Sequence, residues 1–288
     1  MGIDIHGLNF LRYARKKKPF GDTITIGRQA VLVIDPVDKE LVDSKCSYTK
    51  HIYCEELLTD HFGATIVESI DKSTYEKATH IHDLNAPMPE SLYQRYDTVV
   101  DLGTLEHIYN APQALENCSR CCKRGGQILH VLPANNFCGH GFWQFSPELF
   151  FSLYCERNGY IDTEVFIADL ANTARWYRVK EPAAGERVIV SSPTQLYVLV
   201  RTVLGNTDVS HSDVQQIYYV HEWQKEQIPE PPTARTSTRL KERLKRPPLV
   251  YKSLVAACNL YSSNKRRMAT AVSSRNPSLI AVDVKSCT

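Results

Sequence analysis

The chain has 288 residues, 43% of them hydrophobic and 23% charged, with a formal net charge of +2. This is the composition of an ordinary globular protein, and the length suffices for one sizeable core with some residues left over. No run of about 18 apolar residues occurs, and Met1–Phe20 has no apolar signal segment, so we expect neither a transmembrane helix nor a secretory signal. The nine cysteines are an odd number, and we expect reduced thiols in a cytoplasmic protein.

The first part of the chain alternates between helical and extended segments. In chain order we predict a helix at 1–18, a strand at Thr23–Gln29, a helix at 49–62, and strands at 65–70 and 78–84. The second helix ends where Gly63 fits a C-terminal stop. Residues 30–48, which include Pro36, are interpreted as an insertion.

The stretch from Tyr96 to Tyr160 determines the fold class. In order, we predict a buried strand at Thr98–Leu102, a helix capped by Asn110 that runs to about Lys123, a turn at Gly125–Gly126, a buried strand at Gln127–Leu132, a long loop at 133–147 and a helix ending at Gly159. Strand, helix and strand at this spacing form a right-handed βαβ unit with a parallel sheet. The fold class is therefore α/β.

The rest of the chain divides by charge. Strands at 162–170 and 195–203 are predicted to close the sheet as an antiparallel hairpin, followed by a helix at 213–225 and a proline-rich linker at 228–232. Residues 230–288 hold twelve Lys and Arg against three Asp and Glu, a net charge of +9, whereas residues 1–229 hold 22 and 29, a net charge of −7. We therefore predict an α/β domain at 1–229 and a basic, partly helical C-terminal tail at 230–288. The amphipathic helix predicted at 248–261 is a candidate for contact with a membrane surface, with an acidic partner or with the acidic body itself.

Two motifs in the central stretch resemble a known family. Leu105–Ile108 (LEHI), then a helix, then Lys123–Pro133 (KRGGQILHVLP) resemble the class I S-adenosylmethionine (SAM)-dependent methyltransferases, in their small-molecule, methyltransferase type 11-like branch. The match is good over 96–133, extends less closely over about 23–203, and does not include the tail. The resemblance implies SAM as cofactor and a Rossmann-like fold. In that fold a seven-stranded mixed sheet, with its last strand antiparallel, is flanked by helices.

The resemblance places the cofactor at the carboxyl ends of the first four strands, where open α/β sheets bind ligands. The residues it assigns to the cofactor are Gly27, Asp71, Asp83, Leu84, Leu102, Gly103 and Thr104. Asp71 would accept hydrogen bonds from the ribose hydroxyls and Asp83 would serve the adenine amino group, although each also fits a surface turn. Gly27 stands alone where the family has three glycines, so the glycine-rich loop is degenerate and Gly27 equally fits a plain strand-end role.

The loop at 133–147 is long, aromatic and rich in amides, which is typical of a loop that covers a substrate. Asn135, His140 and Trp143 are the predicted substrate contacts, and the alternative is that the loop only adds to the core. The resemblance puts His107 close to the transferable methyl group. We predict that His107, or else His140, takes the proton of the acceptor, with Glu106 in a supporting role. The alternative is that His107 only holds the turn.

A metal site is not expected from the cysteines. Cys118, Cys121 and Cys122 lie on one predicted helix, with no second Cys or His pair at zinc spacing. Buried cysteines more often behave as small hydrophobic residues.

The predicted function is methyl transfer from SAM to a small-molecule acceptor, at a hydroxyl of a sugar or another polar metabolite. The main alternative is a binding or scaffold protein on a methyltransferase fold that has lost SAM binding, which the missing glycines favour. A nicotinamide-dependent oxidoreductase is weaker because no G-x-G-x-x-G follows a strand. A nucleic-acid partner is not expected, because the basic tail has no aromatic interleaving and no recognised binding module.

Overall fold

The computed structural model describes residues 2–32, 53–207, 211, 214–226 and 269–287. The predictions for most of residues 30–48, for the linker at 228–232 and for the amphipathic helix at 248–261 lie outside these ranges. Among the described helices, none is long and apolar enough to cross a membrane.

The described chain contains both helices and strands, with several strands following one another directly. The helices are α1 Ile5–Lys17, α2 Glu55–Phe62, α3 Ala111–Cys121, α4 Pro147–Leu153, α5 Ile217–Glu226 and α6 Val284–Cys287. The strands are β1 Gly2–Ile3, β2 Gly21–Ile26, β3 Ala30–Val31, β4 Ala64–Asp71, β5 His80–Ile81, β6 Tyr96–Asp101, β7 Cys122–Asn135, β8 Tyr160–Asp169, β9 Arg175–Val179, β10 Leu196–Leu204 and β11 Leu279–Asp283.

One mixed sheet, of Rossmann-like α/β type, organises the fold. Its strand order is β11-β9-β8-β10-β7-β6-β2-β4-β5. β2, β4, β5, β6 and β7 pair in parallel, whereas β10 lies antiparallel between β7 and β8, so the predicted antiparallel closing strand is confirmed. The chain runs outward from β2 through β4 to β5 and then returns to β6 on the other side of β2. This reversal makes the β2–β6 pair the topological switch point of the sheet, where ligands of such folds bind.

The far edge of the sheet differs from the prediction. Over the described residues the sheet has nine strands rather than seven, because β9 and β11 extend it beyond β8. β11 comes from the segment assigned to the basic tail, yet it pairs with β9 along its whole length. Leu279 is buried in the core at this edge, and Asn276 Nδ2 donates a hydrogen bond to Ile189 O at 3.1 Å. Residues 269–287 therefore belong to the domain, which corrects the predicted boundary at residue 229 for this part of the chain.

The sheet has a hydrophobic core on each face. Successive side chains of a strand point to opposite faces because the backbone is pleated. On β6, Val99 belongs to one core and Val100 to the other. α1 and α2 cover the Val100 face with side chains such as Phe10 and Leu58, while α3 and α4 cover the Val99 face.

Contrary to the prediction, the Gly125–Gly126 pair does not end α3. α3 ends at Cys121, and β7 begins directly with Cys122, which pairs with Tyr96 of β6. Gly125 has φ +76°, and a Cβ at Gly126 would lie 2.7 Å from Cys122 Sγ. The two glycines therefore permit an irregularity inside β7, where its register against β6 shifts.

The residues around α3 have packing roles. Asn110 precedes the helix as predicted, but its side chain makes no capping hydrogen bond; instead its Nδ2 donates to Asn85 O at 3.2 Å. Cys118, Cys121 and Cys122 are completely buried, in agreement with their interpretation as small hydrophobic residues.

Candidate functional site

A cavity of about 470 Å³ lies where β2, β4, β5 and β6 end. The residues predicted to hold the cofactor that line this cavity are Gly27, Asp71, Asp83, Leu84, Gly103 and Thr104, and His107 lines it as well. These residues are far apart in the sequence. The fold brings them together because parallel strands end at the same edge of the sheet, beside the switch point.

Leu102 is the predicted cofactor residue that does not line the cavity. Its side chain is 2% exposed and belongs to the core on the α1 face of the sheet. A Cβ at Gly7 of α1 would lie only 3.8 Å from Leu102 Cδ1, so the leucine packs beneath that helix. Leu102 thus packs in the core at the end of β6, and the next two residues reach the cavity.

Side chains, rather than a series of glycines, close the turn after β2. Gly27 has φ +70°, and a Cβ there would lie 2.5 Å from Thr104 Oγ1, so only glycine fits. Thr104 Oγ1 and Gln29 Nε2 both donate to Ile26 O at 2.7 Å, and Gln29 Nε2 also lies 3.1 Å from Thr104 Oγ1. Gln29 is 2% exposed, and its Oε1 has no hydrogen-bond partner among the described residues. Gln29 lines the cavity, but its Oε1 is buried within the wall.

The two aspartates in the cavity wall have different surroundings. Asp71 Oδ1 accepts a hydrogen bond from Ser73 N at 3.0 Å, which leaves Oδ2 available. Asp83 Oδ2 pairs with Lys72 Nζ at 2.8 Å, while its Oδ1 accepts from Asn85 N and Nδ2. The hydrogen bond from Lys72, followed by those from Asn85, lowers the pKa of Asp83 well below its usual range. Asp71 is therefore the carboxylate with more capacity for a new hydrogen bond.

A cluster of three ionisable side chains stands next to the cavity. Glu106 and His107 lie in a 3₁₀ turn after β6, and His140 comes from the loop after β7. His107 Nε2 is 3.7 Å from Glu106 Oε1, and His140 Nε2 is 3.6 Å from the same oxygen. The two imidazole ring centroids are 5.2 Å apart. The structure thus brings both predicted catalytic histidines to one place.

Burial controls the ionisation of this cluster. Glu106 is 0% exposed, and neither of its carboxyl oxygens has a hydrogen-bond partner among the described residues. Burial, and to a lesser degree the negative charge of Asp101, raises the pKa of Glu106 to about 8. Burial, and then the charge of His140, lowers the pKa of His107. At neutral pH His107 is therefore an uncharged imidazole with a lone pair to offer.

The loop after β7 is held against Glu106 by its backbone. Phe142 N and Trp143 N donate to Glu106 O at 2.8 and 3.2 Å. A Cβ at Gly141 would lie 2.8 Å from the same carbonyl oxygen, so glycine permits this close approach. This arrangement is what places His140 beside Glu106.

The other two predicted substrate residues do not reach the cavity. Asn135 is the last residue of β7 and is absent from the cavity lining. Trp143 donates its Nε1 hydrogen to Ile108 O at 2.9 Å and lines a separate, largely apolar cavity of about 530 Å³. The aromatic residues that do border the first cavity are Tyr109 and Phe142, which are 75% and 69% exposed and meet edge to face.

Several residues of the cavity wall were not predicted as site residues, among them Arg28, Gln29, Tyr109 and Phe142. Arg28 Nη1 donates to Glu76 O at 2.7 Å, Arg28 Nε pairs with Glu55 at 2.7 Å, and the guanidinium stacks on Tyr53. Arg28 and Gln29 could have been predicted from the sequence, because they directly follow Gly27. No signal distinguished Tyr109 and Phe142 from aromatic residues of the core.

A buried chain of hydrogen bonds fixes the end of β6. Asp101 Oδ1 accepts from Thr104 N at 3.0 Å, and Asp101 Oδ2 lies 2.9 Å from His130 Nδ1. His130 Nε2 lies 2.7 Å from the hydroxyl of Tyr154. All three side chains are almost completely buried. They hold the turn that presents Gly103 and Thr104 to the cavity.

No protein-family model and no curated protein matches this chain. Among solved structures, it is similar to a SAM-dependent methyltransferase, possible histamine N-methyltransferase, from Thermotoga maritima, with 14% identity, 69% of this chain and 91% of that chain covered, and a TM-score of 0.37. It is also similar to the complex between the Haloferax volcanii Trm112 methyltransferase activator and a putative methyltransferase. Here the identity is 13%, the match covers 69% of this chain and 90% of that chain, and the TM-score is 0.41. A third is the N-methyltransferase NodS from Bradyrhizobium japonicum, with 11% identity, 70% and 94% covered, and a TM-score of 0.38. Identities and TM-scores at this level assign no activity, so we base the proposed function on the cavity itself.

Proposed function

We propose that the protein is a SAM-dependent methyltransferase that acts on a small molecule, at a hydroxyl of a sugar or another polar metabolite. The observation that carries this proposal is the 470 Å³ cavity at the ends of four neighbouring strands. It combines a turn that only glycine permits, a carboxylate with an available oxygen and an uncharged histidine. SAM would supply an activated methyl group on a positively charged sulfur.

The cofactor side of the cavity offers an acceptor for the polar groups of SAM. Asp71 Oδ2 would accept from the ribose hydroxyls. Gly27 and Gly103, both with positive φ, let the backbone approach a ligand closely. Asp83 and Leu84 are the proposed neighbours of adenine. The ion pair of Asp83 with Lys72 is exposed, so a ligand can replace it at little cost.

On the acceptor side, His107 is the group that lines the cavity and can take a proton. SAM would supply the methyl group to the acceptor oxygen and would leave as S-adenosylhomocysteine, while the lone pair of His107 would take the hydroxyl proton. The residues contribute mainly by positioning, and a general base adds roughly 10²- to 10⁴-fold to the rate.

Calorimetric titration of the full chain with SAM, S-adenosylhomocysteine and NAD tests the proposal. We expect one binding site for SAM and for S-adenosylhomocysteine, and no heat with NAD. Binding of NAD alone would favour an oxidoreductase. An absence of heat with all three ligands would overturn the proposal in favour of a binding or scaffold protein that has lost the cofactor.

A further inference from the structure

The cluster of Glu106, His107 and His140 has the composition and spacing of a metal site. The three residues offer one carboxylate oxygen and two imidazole nitrogens, and these ligand atoms all lie within 4.8 Å of one another. Three ligands bound tetrahedrally to one ion, at about 2.0–2.2 Å each, stand roughly 3.4 Å apart. The observed separations from Glu106 Oε1, 3.7 Å to His107 and 3.6 Å to His140, are close to that spacing.

The buried carboxyl group of Glu106 has no hydrogen bond from the described residues, while the two imidazole nitrogens stand 3.7 and 3.6 Å from its Oε1. Its side chain is 0% exposed and both oxygens lack a hydrogen bond. Such a group is costly to bury unless it is hydrogen-bonded, paired or bound to a metal. The loop after β7 packs closely on the backbone of the same residue, with Gly141 against the Glu106 carbonyl oxygen and two backbone N–H groups donating to that oxygen.

We propose that Glu106, His107 and His140 bind one divalent transition-metal ion. Two imidazole nitrogens and one carboxylate oxygen suit Zn²⁺, Mn²⁺, Co²⁺ or Fe²⁺, and three protein ligands leave at least one coordination position open. The histidine side chains are 45% and 35% exposed, so an ion can enter from solvent. The cysteines considered in the sequence take no part in this site. The sequence pointed to no metal here because His140 is 33 residues beyond His107 and meets it only through the loop.

The ion would lie at the wall of the 470 Å³ cavity, because His107 lines that cavity. The role of the ion rests on the proposed function. The ion would bind the hydroxyl oxygen of the acceptor at its open position and would lower the pKa of that hydroxyl. His107 would then be a ligand rather than the base, since its Nε2 lone pair serves one role at a time. The acceptor proton would pass to solvent instead. The substrate class is accordingly one with a hydroxyl able to bind a metal ion.

Metal binding can be measured without SAM, so its failure is distinct from failure of the proposed function. The full chain, stripped of metal with a chelator, is titrated with ZnCl₂ and with MnCl₂ by calorimetry, and with CoCl₂ by visible absorption. We expect one ion per chain and a tetrahedral Co²⁺ spectrum. Glu106→Gln and His140→Ala should each weaken binding by more than about 100-fold, since loss even of groups that only orient ligands costs 10- to 100-fold.

His61→Ala is the matched control, because His61 is an exposed histidine on α2 away from the cluster. It should leave the affinity unchanged. Circular dichroism establishes whether each variant is folded. If Glu106→Gln does not fold, His140→Ala, which changes only a surface loop, provides the test. No binding by the parent chain would overturn the proposal. Equal affinity in the parent chain, Glu106→Gln and His140→Ala would overturn it as well.

Discussion

At the scale of single residues, ligand binding in the cavity depends on polar side chains that follow the strand ends. Among them, Asp71 has a carboxylate oxygen, Oδ2, available for a new hydrogen bond. Asp71→Ala should weaken binding of S-adenosylhomocysteine by about 1.5–3 kcal/mol, the usual worth of a hydrogen bond to a charged group. This corresponds to roughly 10- to 150-fold in the dissociation constant. Calorimetry measures the change, with Asp60→Ala on the exposed face of α2 as the control. Equal affinities for the two variants would show that Asp71 does not contact the ligand.

His6 should make the stability of the domain depend on pH. It is 2% exposed, and its Nδ1 accepts a hydrogen bond from Trp176 Nε1 at 3.3 Å. Burial lowers its pKa below the ordinary 6.5, against the opposing effect of the Asp4 and Asp169 carboxylates. The unfolded chain therefore takes up a proton at His6 as pH falls through 6.5, while the folded chain does not.

The free energy of unfolding should accordingly be complete above pH 6.5 and decrease below it. His6→Asn keeps an acceptor for Trp176 but does not titrate. Urea unfolding at pH 7.5 and pH 5.5 should show a smaller loss of stability in this variant than in the parent chain. The same loss in both proteins would show that His6 titrates in the folded state much as it does in the unfolded one.

At the scale of elements, β11 decides whether the end of the chain is a tail or part of the domain. Leu279 and Ile280 are neighbours on this strand, but Leu279 is 4% exposed and Ile280 is 48% exposed. Leu279→Ala should lower the free energy of unfolding by about 2–5 kcal/mol, as expected for a truncated core residue. Ile280→Ala is the matched control and should cost less than about 1 kcal/mol. Urea unfolding of the two full-length variants gives the comparison, and similar small costs would mean that β11 does not pack on the sheet.

At the scale of the whole molecule, hydrophobic patterning was enough to predict the parallel sheet and the strand ends that form the cavity. Apolar β-branched runs such as Thr98–Leu102 identify buried strands, and each strand end then fixes the position of a polar residue such as Asp71. The burial of the Leu102 side chain could not be predicted, because a residue at a strand end can turn to either side. β11 was missed because the charge of its segment concealed a short strand at the edge of the sheet.

Contacts between distant segments could not be predicted in the same way. Glu106 was given only a supporting role, since nothing local shows that its carboxylate is buried and unsatisfied. His140 reaches it through a loop whose path depends on the absence of a side chain at Gly141. The contact between His140 and Glu106 is determined by tertiary packing and not by the hydrophobic periodicity of either segment.

The central claim is that the cavity at the ends of β2, β4, β5 and β6 is the SAM site, and a crystal structure of the complex with S-adenosylhomocysteine tests it most directly. We predict that the ligand lies in this cavity, with its ribose hydroxyls within hydrogen-bond distance of Asp71. The protein backbone should approach the ligand most closely at Gly27 and Gly103. The sulfur should lie on the side of His107. S-adenosylhomocysteine bound in the apolar cavity beside Trp143, or a crystal grown with saturating ligand in which the predicted cavity holds none, would contradict the account.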